Sequence, residues 1–333
     1  MNKNYSQLNL GENTFSNQKK TSRKVGKLNI IKNFINWENL ANKIALIIDK
    51  TNEGKGGRKP IPIEWMLRIL FLQNLYNLSD PEMEDELIDS ISFQKFVGIH
   101  LDVEIPDFST IWRFRERLIK NNLNEFLFNE IYQQIERRGL IIKKGVMIDA
   151  TLIQSSGTPL SNVKRKELEQ SPSNQIDTDA TSTKKRDKYY FGYKGHIGVD
   201  IGSKIIKKRR YTTAAVDDRE EFITLQTGVE KSVMADSGYA SKNLKKVYRM
   251  LGVFWYVMDR AYKNTPLSNK QKKRNNKIAK VRSGVEHIFA YIKDKLGYIK
   301  ASYKNIKRNE FKFDICCILY NINRTHFLLS KQV

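Results

Sequence analysis

The chain has 333 residues, with 59 Lys and Arg against 36 Asp and Glu and a net charge of +23. That length exceeds a usual single core, so two or more domains are expected, and the excess of base points to a polyanionic partner. The longest apolar stretch, 61–76, is interrupted by Glu64, Arg68, Gln73 and Asn74, so it reads as a buried helix and excludes a membrane span there.

Residues 1–27 are polar, with Lys19, Lys20, Arg23 and Lys24, and read as a loosely attached arm without a signal peptide. Phe34, Trp37, Leu40, Ile44 and Ile47 give a helical pattern over 34–50, and 52–60 is a flexible basic loop. Ser79-Asp-Pro-Glu82 is a helix start, with Ser79 as cap, proline in the first turn and acids at the positive end of the helix dipole. A short helix over 93–97 follows. Ser109 is the expected cap of a helix over 110–118, which carries Ile111, Phe114 and Leu118 on one face and Arg113, Arg117 and Lys120 on another. Short helices ending in an arginine row resemble a helix-turn-helix arrangement, so Arg113 and Arg117 either read DNA or solvate a surface helix. A further helix spans 123–139.

The composition then changes. Strand-like runs are expected at 145–150, 189–199, 205–215 and 231–236, and an apolar run over 252–258 suits a buried strand. Residues 154–188 read as a polar surface loop, 217–229 and 242–250 as helices, 264–277 as a basic loop, and 278–297 and 308–329 as long helices. Residues 241–333 hold 22 Lys and Arg against five acids, which concentrates most of the excess charge in the last quarter of the chain. Charge this one-sided suits a phosphate backbone. The adjacent Cys316 and Cys317 form neither a disulfide framework nor a zinc site, and read as small core residues of a reducing compartment.

Three carboxylates stand out. Asp149 ends the run Gly145-Val-Met-Ile-Asp149, Asp236 ends Ser232-Val-Met-Ala-Asp236, and Glu286 lies in the amphipathic stretch 280–293. Acids at two strand ends and a third on a helix face can hold two divalent metals, an arrangement that stabilises both the attacking and the leaving oxygen of a phosphoryl transfer. Mg2+ suits such a set because it takes a few carboxylates, keeps water and completes its shell with phosphate, and Mn2+ can replace it. Each acid also has a plainer reading: Asp149 and Asp236 as turn or helix caps, Glu286 as part of a surface ladder with Arg282 and Lys293, which share its face. Lys194 and His196 point to one side of their strand, which either faces the metals or is a polar outer face. Tyr239 either stacks on an unpaired base or caps the sheet.

In order along the chain, Gly57-Arg-Lys-Pro60 through Asp107-Phe-Ser-Thr-Ile-Trp-Arg-Phe-Arg115, Met147-Ile-Asp149-Ala-Thr151, Phe191-Gly-Tyr-Lys194-Gly-His196, Ala235-Asp236-Ser-Gly-Tyr239 and the set Arg282, Glu286 and Lys293 resemble the DDE transposases of bacterial insertion sequences, specifically the insertion-sequence-five group. The resemblance covers roughly 55–325. That group carries a tyrosine three residues before the arginine, where this chain has Ala279.

The resemblance implies an α/β fold with an RNase H-like mixed sheet flanked by helices. It also implies a division into a basic arm and first helix (1–54), a helical DNA-binding domain (55–140) and a catalytic domain (141–330). The implied activity is Mg2+-dependent strand cleavage and strand transfer, with Asp149, Asp236 and Glu286 as catalytic metal ligands. Arg282, Lys293, Lys194, His196, Arg113 and Arg117 are the expected DNA or phosphate contacts. The expected partners are double-stranded DNA, namely terminal inverted repeats and target DNA, and a second copy of the chain on that DNA, in a bacterial cytoplasm at the nucleoid. A nuclease that does not join, an inactive DNA-binding derivative and an RNA-binding protein are the alternatives.

Overall fold

A computed structural model describes residues 23–48, 61–99, 103–141, 144–171, 176–185, 187–262 and 265–331. Residues 1–22 of the expected arm and the basic loop at 52–60 lie outside these residues; residues 23–27, expected to be loose, begin a helix instead. Seven helices come first: α1 (Arg23–Phe34), α2 (Trp37–Ile48), α3 (Ile63–Tyr76), α4 (Asp80–Asp89), α5 (Ile91–Val97), α6 (Phe108–Lys120) and α7 (Leu123–Glu136). The start of α4 is the expected one: Ser79 accepts from the Glu82 amide while Glu82 accepts from the Ser79 amide, a reciprocal cap. In α6 the cap is Asp107 rather than Ser109, because the Asp107 carboxylate takes the Thr110 amide at 2.6 Å and begins the helix earlier.

The sheet is built from β1 (Val146–Gln154), β2 (Thr181–Lys185), β3 (Lys188–Asp200), β4 (Ile206–Thr213), β5 (Ser232–Ala235) and β6 (Phe254–Val257). Its path is β2-β3-β1-β5-β6, with β4 also on β3. β1 pairs antiparallel with β3 along its whole length, while β5 and β6 run parallel to β1. An antiparallel β4-β3-β1 unit extended by two parallel strands is the RNase H-like arrangement. The remaining helices are α8 (Asn162–Gln170), α9 (Lys242–Met250), α10 (Asn269–Ala290) and α11 (Ile306–Leu329).

Three further expectations need correction. The polar stretch 154–188 is not a bare loop: it holds α8 and β2, and Asp177 ties it down by accepting from Ser155 Oγ at 2.8 Å and Tyr193 Oη at 2.6 Å. Residues 217–229 form turns, not a helix. Asp217 binds both the backbone amide and the guanidinium of Arg219, a local bond that competes with a helical ladder. The basic loop ends at Ser268, where a Ser268–Gln271 capping box starts α10 nine residues earlier than its apolar pattern does.

The two faces of the sheet bury different cores. Met147, Ile153, Tyr193, Ile197 and Val199 face α10 and α11 and belong to one cluster that continues into the N-terminal helices. Val146, Ile148, Phe222, Leu225, Val233 and Tyr239 form the smaller cluster on the other face. Helix α11 is the spine of the larger one: it packs on α1, α3, α6, α7 and β4. Its approach to β3 depends on Gly195, where a Cβ would come within 2.5 Å of the Phe313 ring.

Buried charges lock this packing. Arg209 of β4 donates twice to Asp314 of α11, at 3.0 Å each, and Asn124 of α7 donates to the same carboxylate at 2.9 Å. Both ions are almost wholly buried. Removing one partner leaves the other uncompensated. Arg209→Met is therefore expected to lose roughly 3–5 kcal/mol of stability at neutral pH, read from urea unfolding. The loss shrinks in acid, because burial already raises the proton affinity of Asp314.

Candidate active site

The parallel β1–β5 ladder includes the pair Met147 and Met234. Two residues further along each strand stand Asp149 and Asp236, so parallel pairing brings the two acids to the same level. Asp149 pairs with Ile197 across β3, which puts its side chain on the α10 face. It is mostly buried, with 14% of its side chain exposed. Arg282 of α10 donates to Asp149 Oδ2 at 2.7 Å and, one helical turn from Glu286, to Glu286 Oε1 at 3.0 Å. One guanidinium thus bridges the strand acid and the helix acid. Asp236 ends β5 and caps the turn Ser237–Tyr239, accepting from the Gly238 amide at 2.8 Å. Gly238 fits there because a Cβ would lie 2.9 Å from the Asp236 carboxylate.

The electrostatics follow. Burial pushes the Asp149 carboxyl up to about 6, and the nearby Asp236 charge pushes the same way. The Arg282 charge and the Ala150 amide pull against it without cancelling it.

Two family models match this chain. A transposase domain, DUF772, matches residues 15–117. A transposase DDE domain matches residues 142–322, more than half of the chain, and contains all three acids. The chain belongs to the DDE transposases. The solved structure of a piggyBac transposase synaptic complex with hairpin DNA is similar at 13% identity with a TM-score of 0.44, covering 91% of this chain and 73% of that one.

In this transposase the other expected site residues fall into three places. Lys293, just past α10, donates to the Leu152 carbonyl at 2.9 Å and so stays beside the C-terminal half of β1. Lys194 and His196 pair with Leu152 and Ala150, one residue out of phase with Asp149, and therefore lie on the opposite sheet face. Lys194 binds the Val216 carbonyl and Asp218. His196 is fully buried against Thr212, and burial lowers its pKa to about 4, so the ring is neutral. Arg113 and Arg117 are exposed one turn apart on α6 and line a groove of about 740 Å3 with residues of α2 and α3. Tyr239 is buried against Phe222 and packs the sheet, the second of the two roles open to it.

DDE transposases generally use divalent metal ions. The donor set fits in part. Asp149 and Asp236 are hard oxygen donors at one level, and the raised proton affinity of Asp149 marks a site short of positive charge. Among the described residues, however, no three His, Cys, Asp or Glu side chains converge closely enough to hold an ion. The Arg282 guanidinium stands between Asp149 and Glu286 and is bound to both.

Two open grooves of about 540 and 770 Å3 meet over Ala150, Thr151 and Leu152. Their walls include residues absent from the expected contacts: Lys184, Lys185, Lys188, Arg219 and Arg260. The signal for the lysines was the basic run 184–188 followed by two tyrosines, which reads as part of a polar loop until β3 gives β2 a partner.

The pH dependence has a definite sign. The folded pKa of Asp149 lies above its unfolded value, so native stability falls as pH rises from about 4 through about 6. In chelator-treated protein, Asp149→Asn removes this loss, on the order of 2–3 kcal/mol across that window. Melting temperatures of the two proteins are expected to diverge in the variant's favour from pH 4 to pH 7.

Proposed function

We propose that this transposase binds the terminal inverted repeats of its own mobile element and catalyses metal-dependent DNA strand cleavage followed by strand transfer. The observation that carries this reading is that a largely buried Asp149 and Asp236 each stand two residues beyond the paired Met147 and Met234 of parallel strands, with Glu286 linked to Asp149 through Arg282. The spacing of Arg282, Glu286 and Lys293 favours the insertion-sequence-five group, with Ala279 as its departure.

Asp149 and Asp236 would hold Mg2+, or Mn2+ in its place, and Glu286 would join them once Arg282 withdraws. When bound, a pair of such ions supplies an activated water or 3′-hydroxyl and steadies the departing oxygen. The protein's own residues do the rest. Arg282 presents a planar fork that suits phosphate oxygens as well as it suits carboxylates. Lys293 adds a point charge beside β1. Arg113 and Arg117 on α6 contact the repeat DNA. Synapsis of two ends calls for a homodimer on DNA, acting at the nucleoid in the bacterial cytoplasm.

The test uses the DNA that flanks the gene on both sides. With Mg2+ the native protein is expected to cut at paired ends and join the freed 3′ ends to a target plasmid, and a chelator stops both steps. Asp149→Asn, Asp236→Asn and Glu286→Gln are expected to lower cutting by roughly a hundredfold or more. Unchanged cutting by Asp149→Asn sinks the reading, and cutting without joining reduces it to a nuclease. A separate readout needs no DNA: MgCl2 is expected to raise the melting temperature of the native protein and leave that of Asp149→Asn unmoved.

A further inference from the structure

The hairpin β2–β3 extends beyond the part of β3 that pairs with β1. At its end Lys185 stands opposite Lys188, and Lys184 stands opposite Tyr189. The Lys184 ammonium lies 5.4 Å from the Tyr189 ring centroid, and that ring is 76% exposed. Among the described residues, Lys185 is the one charged side chain shared by the two grooves that meet over residues 150–152. Its charge acts on both Asp149 and Lys293.

The acids that line these grooves are Asp187, Asp217, Asp218 and Asp236. Two of them already have partners, Asp217 with Arg219 and Asp218 with Lys194. Lys185, Lys188 and Arg260 are exposed and form no ion pair among the described residues. An open cleft lined by several cations without ion pairs among the described residues, and by residues 150–152 of the strand that carries Asp149, has the charge of a seat for an extended polyanion.

We infer that the β2–β3 hairpin is a clamp for the DNA strand being cut, in which Lys185 and Lys188 hold consecutive backbone phosphates across β1 and Tyr189 offers a face to an unpaired base. The inference rests on the strand-cutting reading of Asp149 and Asp236 and adds to it which part of the surface positions the strand. Lys185 and Lys188 are positioning residues: they would touch phosphates beside the reacting one and fix the register of the strand over Asp149.

The full-length protein can be tested with a fluorescein-labelled single-stranded DNA of mixed sequence, its duplex, and the RNA strand of the same sequence. Binding is followed by anisotropy across a potassium chloride series. Lys185→Ala/Lys188→Ala is expected to flatten the slope of log affinity against log salt by about 1.4 on the single strand, about 0.7 for each phosphate no longer neutralised. Lys242→Ala/Lys246→Ala on the exposed face of α9 is the control and is expected to keep the native slope. Tyr189→Ala is expected to weaken the single strand several-fold and the duplex little. The native slope in Lys185→Ala/Lys188→Ala, an equal change in the control, or a change confined to RNA each overturns the clamp. These outcomes are separate from the catalytic reading. A native slope with cutting lost in Asp149→Asn removes the clamp alone, whereas a flattened slope with cutting retained in Asp149→Asn removes the metal-site reading alone.

Discussion

The site is organised by one desolvated charge. Asp149 sits in the middle of the central strand, bonded along one edge to β3 and followed along the other by β5. Water reaches little of it, and the cation it touches is Arg282. The buried structural acid Asp314 takes two bonds from Arg209 and one from Asn124, whereas Asp149 takes one from Arg282 and one from the Ala150 amide. Here burial outweighs the arginine, and the carboxyl keeps a raised proton affinity. A fold that tolerates such a loss of stability at one residue usually does so where chemistry needs the group.

How much of this was legible from residues alone differs by element. The runs leading to Asp149 and Asp236 were plain as strands, but only Asp236 closes its strand at a turn; β1 continues past Asp149 to Gln154. That the two acids share a level was not visible, because it depends on parallel pairing between strands some eighty residues apart. The alternation of Lys194 and His196 was correct, but alternation does not say which face is which. Only the pairing of Leu152 with Lys194 and of Asp149 with Ile197 separates them. Strand β2 contains no apolar residue, so nothing local marks it; it is a strand because β3 offers it a ladder. The early start of α10 had a local signal, the Ser268–Gln271 box, masked by a Lys- and Asn-rich first half without periodicity. The turns at 217–229 went the other way. The same aspartate that can cap a helix closed a tighter loop on Arg219.

Polar contacts also couple the N-terminal helices to the sheet. Arg308 of α11 binds Glu116 of α6 through two bonds, and Asn321 of α11 both donates to and accepts from the backbone of Ile206 at the start of β4. Lys312 of the same helix reaches Asn77 at the end of α3. With the Arg209–Asp314 pair, these bonds fix α11 in rotation as well as position, since each demands one face of the helix. The helix that carries the exposed Arg113 and Arg117 is thereby tied, through Glu116 and α11, to the sheet that carries Asp149.

The same economy of groups appears at Arg282. Its guanidinium already binds two carboxylates, and its buried Nε has no partner among the described residues. A fork that fits a carboxylate also fits a phosphate, so on the proposed reading an incoming strand exchanges one set of charge-assisted bonds for another of similar geometry. That exchange frees Asp149 and Glu286 at the moment the substrate arrives. The diffuse positive charge of the last quarter of the chain cannot bring this about, because distributed charge raises encounter rate and non-specific affinity without fixing register. Register has to come from the few cations on either side of β1. On the proposed reading, that part falls to Lys293, held at the Leu152 carbonyl, and to Lys185, which lines the same groove.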